Sequence, residues 1–197
     1  MKNKLLLAST SQTRKKILIN TGIKFIYKTP LINEEKEKEK LKKIQKPEKI
    51  CQTLAKQKSI MTSLKYSSYF VLGVDTCLIY KNKFLSKPKT KKDAEELLTK
   101  LNAKEHKIYS SIYISKKGKK IWSYNDEAKL KIRNLTKREI MKYIRKLKLK
   151  KIQASGLYQI EDLGITLFEK ISGSYFTILG LPLMPLLKFL QKRKFLI

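Results

Sequence analysis

The sequence predicts an α/β protein built on a twisted mixed β-sheet. An apolar run, LLLA at 5–8, leads through a Ser/Thr-rich turn into a basic helical stretch that ends at a glycine. A second apolar run, YFVLGVDTCLIY at 69–80, has the length and composition of a buried strand. Two further runs, KIYSSIYIS at 107–115 and IWSYNDEAKLKIR at 121–133, are joined by a turn at KKGK and so pair antiparallel. Helical patterns fall between these strands, which is the mixture an α/β sheet requires.

The elements follow in order. Residues 4–8 read as a buried strand and 11–20 as a helix, with Gly22 placed to end it. KFIYKTP at 24–30 is a second strand. NEEKEKEKLKK at 33–43 is a low-complexity charged run, either a loop or a solvated helix. From 47 to 65 Ile50, Cys51, Leu54, Met61 and Leu64 recur near helical spacing, with Pro47 in the first turn. After strand 69–80, a tight turn at Lys81 and Asn82 leads into KFL, a hairpin. Thr90 with Asp93 forms a capping box for a helix over 91–102, which carries Ala94, Leu97, Leu98 and Leu101. Thr136 with Glu139 repeats that logic for a helix through Leu147. A loop at 153–164, the run GITLFEKI, a turn at Gly173, a short strand at 176–179 and a helix after Pro182 complete the reading. Neither an internal repeat nor a Gly/Ser linker divides the chain, so residues 1–197 are expected to form one domain.

The formal charge of +30 is the loudest feature of the composition. Such an excess often marks nucleic-acid binding. Here, however, only five of the 46 basic residues are arginine (14, 133, 138, 145, 193). The lysines are dispersed, and no RNP pattern, zinc knuckle or helix-turn-helix accompanies them. They read as solvated faces shaped by compositional drift, so no specific nucleic acid is expected. A field of this sign does attract small polyanions such as nucleotides. No apolar run reaches about 18 residues, so no membrane span is expected. MKNK passes directly into the first strand without a signal-peptide pattern, and Cys51 and Cys77 lack metal or disulfide spacing. A reduced, cytoplasmic compartment is expected.

Four places could carry chemistry. The turn STSQTR at 9–14 stands between a strand and a helix start, where unpaired N–H groups favour anions. Ser9 and Ser11 add hydroxyls and Arg14 a fork matched to phosphate oxygens. The plainer alternative is a serine helix cap with a solvated arginine. Asp75 lies inside an apolar strand, where a carboxylate is costly unless paired, and Gly73 beside it lets another group approach the backbone. That aspartate is either a base, a metal ligand or a strand-end residue bonded to local backbone. Tyr158, Glu161 and Asp162 lie between Gly156 and Gly164, and four of the seven glycines fall between 156 and 180. His106, the single histidine, has no evident partner set and reads as structural.

Taken together these segments resemble the Maf family of nucleotide pyrophosphatases over nearly the whole chain. LLLASTSQTRKKIL is similar to the family's L-A-S-x-S-x-x-R-x-x-L-L opening. INEE sits at the position of its acidic pair, and LAKQKS resembles its L-A-x-x-K-A helix. LGVDTCL resembles the G-x-D-T strand, and SKPKTKKDAEELLTKLNAKEHKIYSS the K-P segment that follows. SGLYQIEDLG and ISGSYFTILGLPL resemble the late Gly/Tyr loop and the G-L-P-L ending.

The resemblance implies an elongated two-lobed α/β fold with a central cleft, akin to inosine-triphosphate pyrophosphatases, often dimeric. It implies hydrolysis of a nucleoside triphosphate to the monophosphate and pyrophosphate with Mg²⁺ or Mn²⁺, as house-cleaning of the nucleotide pool, with a historical link to septum formation. On it, Asp75 is the proton acceptor and Lys58 and Lys87 stabilise triphosphate charge. Ser9, Ser11 and Arg14 cradle phosphates, Glu161 contacts the substrate, and Glu34, Asp75 and Glu161 hold the metal. Two positions depart from the pattern: Thr13 replaces a first arginine, and Asn33 replaces the aspartate of the acidic pair. Glu161, followed by GITLFE, is similar to a branch active on 7-methyl-GTP rather than the dTTP/UTP branch. The alternative is a degenerate or non-catalytic nucleotide-binding regulator of septum formation that uses its basic surface.

Overall fold

The computed structural model describes residues 3–42, 45–150, 152 and 157–195. The chain runs β1 (Leu5–Ala8), α1 (Gln12–Ile19), β2 (Phe25–Lys28), α2 (Glu34–Lys42), α3 (Pro47–Lys65), β3 (Phe70–Tyr80), β4 (Lys83–Leu85) and α4 (Lys91–Leu101). It continues with β5 (Glu105–Lys116), β6 (Lys119–Ile132), α5 (Lys137–Lys146), a 3-10 turn (Leu163–Leu167), β7 (Phe168–Ser172), α6 (Tyr175–Ile178) and α7 (Leu183–Lys192). Among the described residues seven strands form one mixed sheet in the order β2-β1-β3-β5-β6-β7, with β4 paired to β3. β1 is parallel to both β2 and β3, whereas every pairing from β3 onward is antiparallel.

Local chemistry accounts for most boundaries. Both expected capping boxes form: Thr90 and Asp93 at α4, Thr136 and Glu139 at α5. Lys81 and Asn82 have φ of 48° and 57°, the pair of left-handed residues that a two-residue hairpin between β3 and β4 needs. The charged run is a helix, the second of the two readings it allowed. Asn33 Oδ1 accepts from Lys36 N at 3.1 Å, so the residue that departs from the acidic pattern still caps α2. Leu41 anchors that helix against Ile50 and Leu54 of α3.

One element is corrected. Residues 176–179 do not form a strand; Tyr175–Ile178 is a helical turn. FTIL is mostly apolar, and a run that short has no period to distinguish strand from helix. Gly156 lies outside the described residues.

Two apolar cores flank the middle of the sheet. In one, Leu5, Leu7, Leu72, Val74, Ile112 and Ile114 pack against α1 and α7 through Leu18, Leu186 and Leu190. In the other, α4 and α5 meet through Leu98, Leu101, Ile140 and Ile144, with Ile132 from β6. α3 covers the opposite face of β3 and runs against it: Cys51 meets Cys77 in one cluster, and Ser59 Oγ donates to Val71 O at 2.7 Å. Gly73 makes this contact close. A Cβ there would overlap the Ala55 carbonyl and Ser59 backbone, so only glycine lets α3 lie directly on the strand.

Candidate active site

A gap in the sheet creates the site. β1 pairs with β3 only as far as Gly73, and β4 begins pairing at Leu78. Residues 74–77 therefore have one open side, at the carboxyl end of a parallel strand, where clefts of α/β sheets characteristically lie. A cleft of about 1000 Å³ opens there. Its walls include Ser9, Ser11, Arg14, Glu34, Lys58, Asp75, Lys87 and Glu161, so the fold brings these residues to one cavity.

The floor is an ion triad. Strand alternation turns Asp75 toward α3, and Gly73 two residues earlier sets α3 near enough to meet it. Lys58 Nζ lies 2.7 Å from Asp75 Oδ1 and 2.7 Å from Glu34 Oε2, so one ammonium bridges two carboxylates. Asp75 is 3% exposed and Lys58 4%, while the Glu34 side chain is 40% exposed toward the cleft. Burial alone would lower Lys58, but the Asp75 and Glu34 charges outweigh it and the ammonium is held above its usual range. Burial likewise works to raise Glu34; Lys58, with Lys38 and Arg14 behind it, overrides this and holds the carboxyl below its usual range. Asp75 Oδ2 is buried and has no hydrogen-bond partner.

The serine turn forms the adjoining wall. Ser11 caps α1, its Oγ accepting from Arg14 N at 3.4 Å, and Ser9 Oγ accepts from Ser11 N at 3.2 Å. Both hydroxyl hydrogens remain to donate to an anion. Arg14 also lines the cleft, with its guanidinium engaged by acceptors of the protein itself. Its guanidinium donates to Gly180 O at 2.8 Å, Val74 O at 3.2 Å, Ser9 Oγ at 3.3 Å and Thr76 Oγ1 at 3.0 Å. Four of its five N–H groups are thus committed to the protein. Lys87 also lines the cleft, its pKa lowered by burial and by the Arg14 and Lys38 charges.

Glu161 arrives on the loop after Leu157 and is exposed to the cleft. Asp162 caps the 3-10 turn behind it, donated to by Leu163 N at 2.8 Å. Tyr158 ties this loop to β5, its hydroxyl 2.6 Å from His106 Nε2. Leu78, Ile108, Leu157 and Ile160 line the cleft beside them, with Gln159. Among the described residues no three His, Cys, Asp or Glu side chains gather closely enough to hold a metal by themselves, so Glu34, Asp75 and Glu161 do not form a closed ligand cluster. Thr76 and Gly180, which complete the Arg14 contacts, escaped the sequence reading. Thr76 adjoins Asp75 in the G-x-D-T segment, which was the available signal.

Comparisons with known proteins show what the chain is similar to. The profile of the family described as "Maf-like protein" matches residues 4–193. A nucleoside triphosphate pyrophosphatase of Pelagibacter ubique is 38% identical over 192 residues, 97% of this chain and 98% of that one. A 7-methyl-GTP pyrophosphatase of Bartonella quintana is 34% identical over 187 residues, 95% of this chain and 94% of that one. Of solved structures, the Ham1 protein of Staphylococcus aureus superposes with a TM-score of 0.39 at 15% identity, over 66% of this chain and 72% of that one, a likeness too loose to bear on the reaction.

Proposed function

The chain belongs to the Maf-like protein family, and from that premise we propose that it is a nucleoside triphosphate pyrophosphatase. The observation that carries this reading is the state of Asp75. One oxygen is fixed by Lys58 at 2.7 Å and the other is buried, unpartnered and at the floor of the cleft. A buried carboxylate oxygen without a donor is costly unless a ligand completes it.

In this reading a water attacks the α-phosphorus and gives its proton to Asp75 Oδ2. A bond from the water oxygen to phosphorus forms, the α–β anhydride bond breaks, and pyrophosphate leaves. Lys58 orients Asp75 and Lys87 faces the leaving charge. The Ser9 and Ser11 hydroxyls and the first N–H groups of α1 bind phosphate oxygens.

Glu34, Asp75 and Glu161 are the carboxylates that would hold Mg²⁺ or Mn²⁺. The half-exposed Glu34 and the exposed Glu161 offer the oxygen donors a hard cation takes, and Asp75 would contact it only while unprotonated. The remaining positions fall to phosphate and water, since no closed cluster exists among the described residues. When bound, the ion supplies charge neutralisation for the triphosphate.

A guanine-type base, 7-methyl-GTP in particular, is the favoured substrate. Glu161 lines the cleft with Leu157 and Ile160, where its carboxylate accepts hydrogen bonds from a guanine edge. Replacing Glu161 with Gln is expected to change the ratio of kcat/KM between 7-methyl-GTP and UTP by about tenfold; an unchanged ratio contradicts the assignment.

The test of the activity is pyrophosphate release with Mg²⁺ or Mn²⁺ across 7-methyl-GTP, GTP, dTTP and UTP. Asp75→Asn is expected to lower kcat by about 100-fold or more. Release that is equal in the wild type and Asp75→Asn contradicts the reading.

A further inference from the structure

We infer that Arg14 is a positioning residue that holds β3 on both sides of Asp75, with Thr76 as its partner, and is not a phosphate ligand. The inference rests on the pyrophosphatase reading above, because it concerns how Asp75 is held for that reaction.

The argument begins with the gap in the sheet. Past Gly73, β3 has lost β1 on one side and has not yet met β4. The strand pairs there with β5 alone, and Asp75 lies within this half-supported stretch. Arg14 fills the gap. Its Nη1 donates to Val74 O at 3.2 Å and its Nη2 to Thr76 Oγ1 at 3.0 Å, so the guanidinium grips the residues immediately before and after Asp75. The same group holds Ser9 Oγ at 3.3 Å and Gly180 O at 2.8 Å. One planar fork thereby ties together the serine turn, β3 and the turn after α6.

The surroundings are built for that fork. Gly180 has φ of +89°, and a Cβ there would stand 3.0 Å from Thr76 Oγ1 and 3.5 Å from Arg14 Nη2. Glycine is needed for the backbone conformation, and a Cβ would crowd Thr76 Oγ1, the hydroxyl that Arg14 grips. Thr76 Oγ1 also lies 2.9 Å from Ser110 Oγ, which donates to Thr177 O at 3.0 Å. Thr177 Oγ1 in turn donates to Asp126 on β6. Arg14 is therefore the end of a hydrogen-bonded network running across the sheet, and such a network fixes geometry more than isolated bonds do. With four of five donors engaged, little of the guanidinium is left for phosphate oxygens. A lysine keeps the charge but cannot reach four acceptors in different directions, which gives the test its leverage.

The experiment measures kcat and KM for pyrophosphate release in the wild type, Asp75→Asn, Arg14→Lys, Arg14→Ala, Thr76→Val, Thr76→Ser and the double variant Arg14→Ala/Thr76→Val. A positioning role predicts that Arg14→Lys loses kcat nearly as far as Arg14→Ala, about tenfold or more, with KM within about threefold of wild type. Thr76→Val loses kcat by about fivefold, Thr76→Ser restores it, and the double variant is no worse than Arg14→Ala, because both changes break one unit. The inference is overturned if Arg14→Lys keeps wild-type kcat while Arg14→Ala acts through KM, or if the Thr76→Val effect simply multiplies that of Arg14→Ala. Should Arg14→Ala fail to fold, the Thr76 pair decides: equal kcat in Val and Ser variants overturns it. Absence of release from the wild type would instead sink the underlying reading. An active wild type with an inactive Asp75→Asn and an unimpaired Arg14→Lys would sink this inference alone.

Discussion

At the scale of single residues, the triad Glu34–Lys58–Asp75 and the lone histidine give the sharpest expectations. Glu34 has a folded pKa held below the ordinary 4.5. Its contribution to stability is therefore present above about pH 4.5 and lost as pH falls through the lower folded value. The wild type is expected to lose Tm more steeply below that pH than Glu34→Gln; parallel curves contradict the pairing with Lys58. His106 is 2% exposed, and burial lowers its pKa from 6.5 to about 4. Between those values the unfolded chain binds a proton that the folded chain does not, so stability rises with pH across that window and is fully present above 6.5. The size is on the order of 3 kcal/mol. Because the chain has one histidine, its ring signals in NMR report the group directly. A midpoint near 4 is expected, and one near 6.5 contradicts the burial. Asp75 was readable from sequence because a carboxylate in an apolar strand demands an explanation. Its pairing with Lys58 was not: among so many lysines only the family resemblance singled Lys58 out, and the helix register that aims it at Asp75 depends on packing. The commitment of Arg14 to four internal acceptors was equally hidden, since a fork suited to phosphate suits carbonyl and hydroxyl oxygens as well.

At the scale of elements, caps and turns made the sequence legible. α3 covers Pro47–Lys65, the expected range, because proline starts it and the apolar spacing continues unbroken. The capping box at α5 is local and away from the cleft, so Thr136→Ala is expected to cost about 1 kcal/mol by denaturant unfolding while kcat stays unchanged. A change in kcat would contradict the separation of this helix from the site. Gly73 links element packing to chemistry. Gly73→Ala drives a methyl into the Ala55 and Ser59 backbone, so α3 must lift from β3 and carry Lys58 with it. The variant is expected to lose about 2 kcal/mol or more of stability and most of its activity. A stable, fully active Gly73→Ala contradicts the tight α3–β3 contact. α6 escaped the sequence because four residues between two turning glycines carry no period; Phe176 and Leu179 pack on the first core and the Thr177 hydroxyl donates to Asp126.

At the scale of the whole molecule, the sheet gap, two cores and net charge act together. The open side of β3 between β1 and β4 is a property of strand pairing that no single segment announces, although the segments lining it were each visible. No helix among the described residues is long and apolar enough to cross a membrane. The charge of +30 gives the surface a field that draws in polyanions over a Debye length. KM for a triphosphate is expected to rise with added salt while kcat changes little; a salt-independent KM would confine attraction to the cleft itself. The central claim is that water attacks the α-phosphorus with Asp75 as proton acceptor. The most direct measurement is hydrolysis of the best triphosphate in ¹⁸O-labelled water, with Asp75→Asn run beside the wild type. The account predicts label in the nucleoside monophosphate, none in the pyrophosphate, and turnover lost in the variant. Label in the pyrophosphate, or in free phosphate, would contradict it.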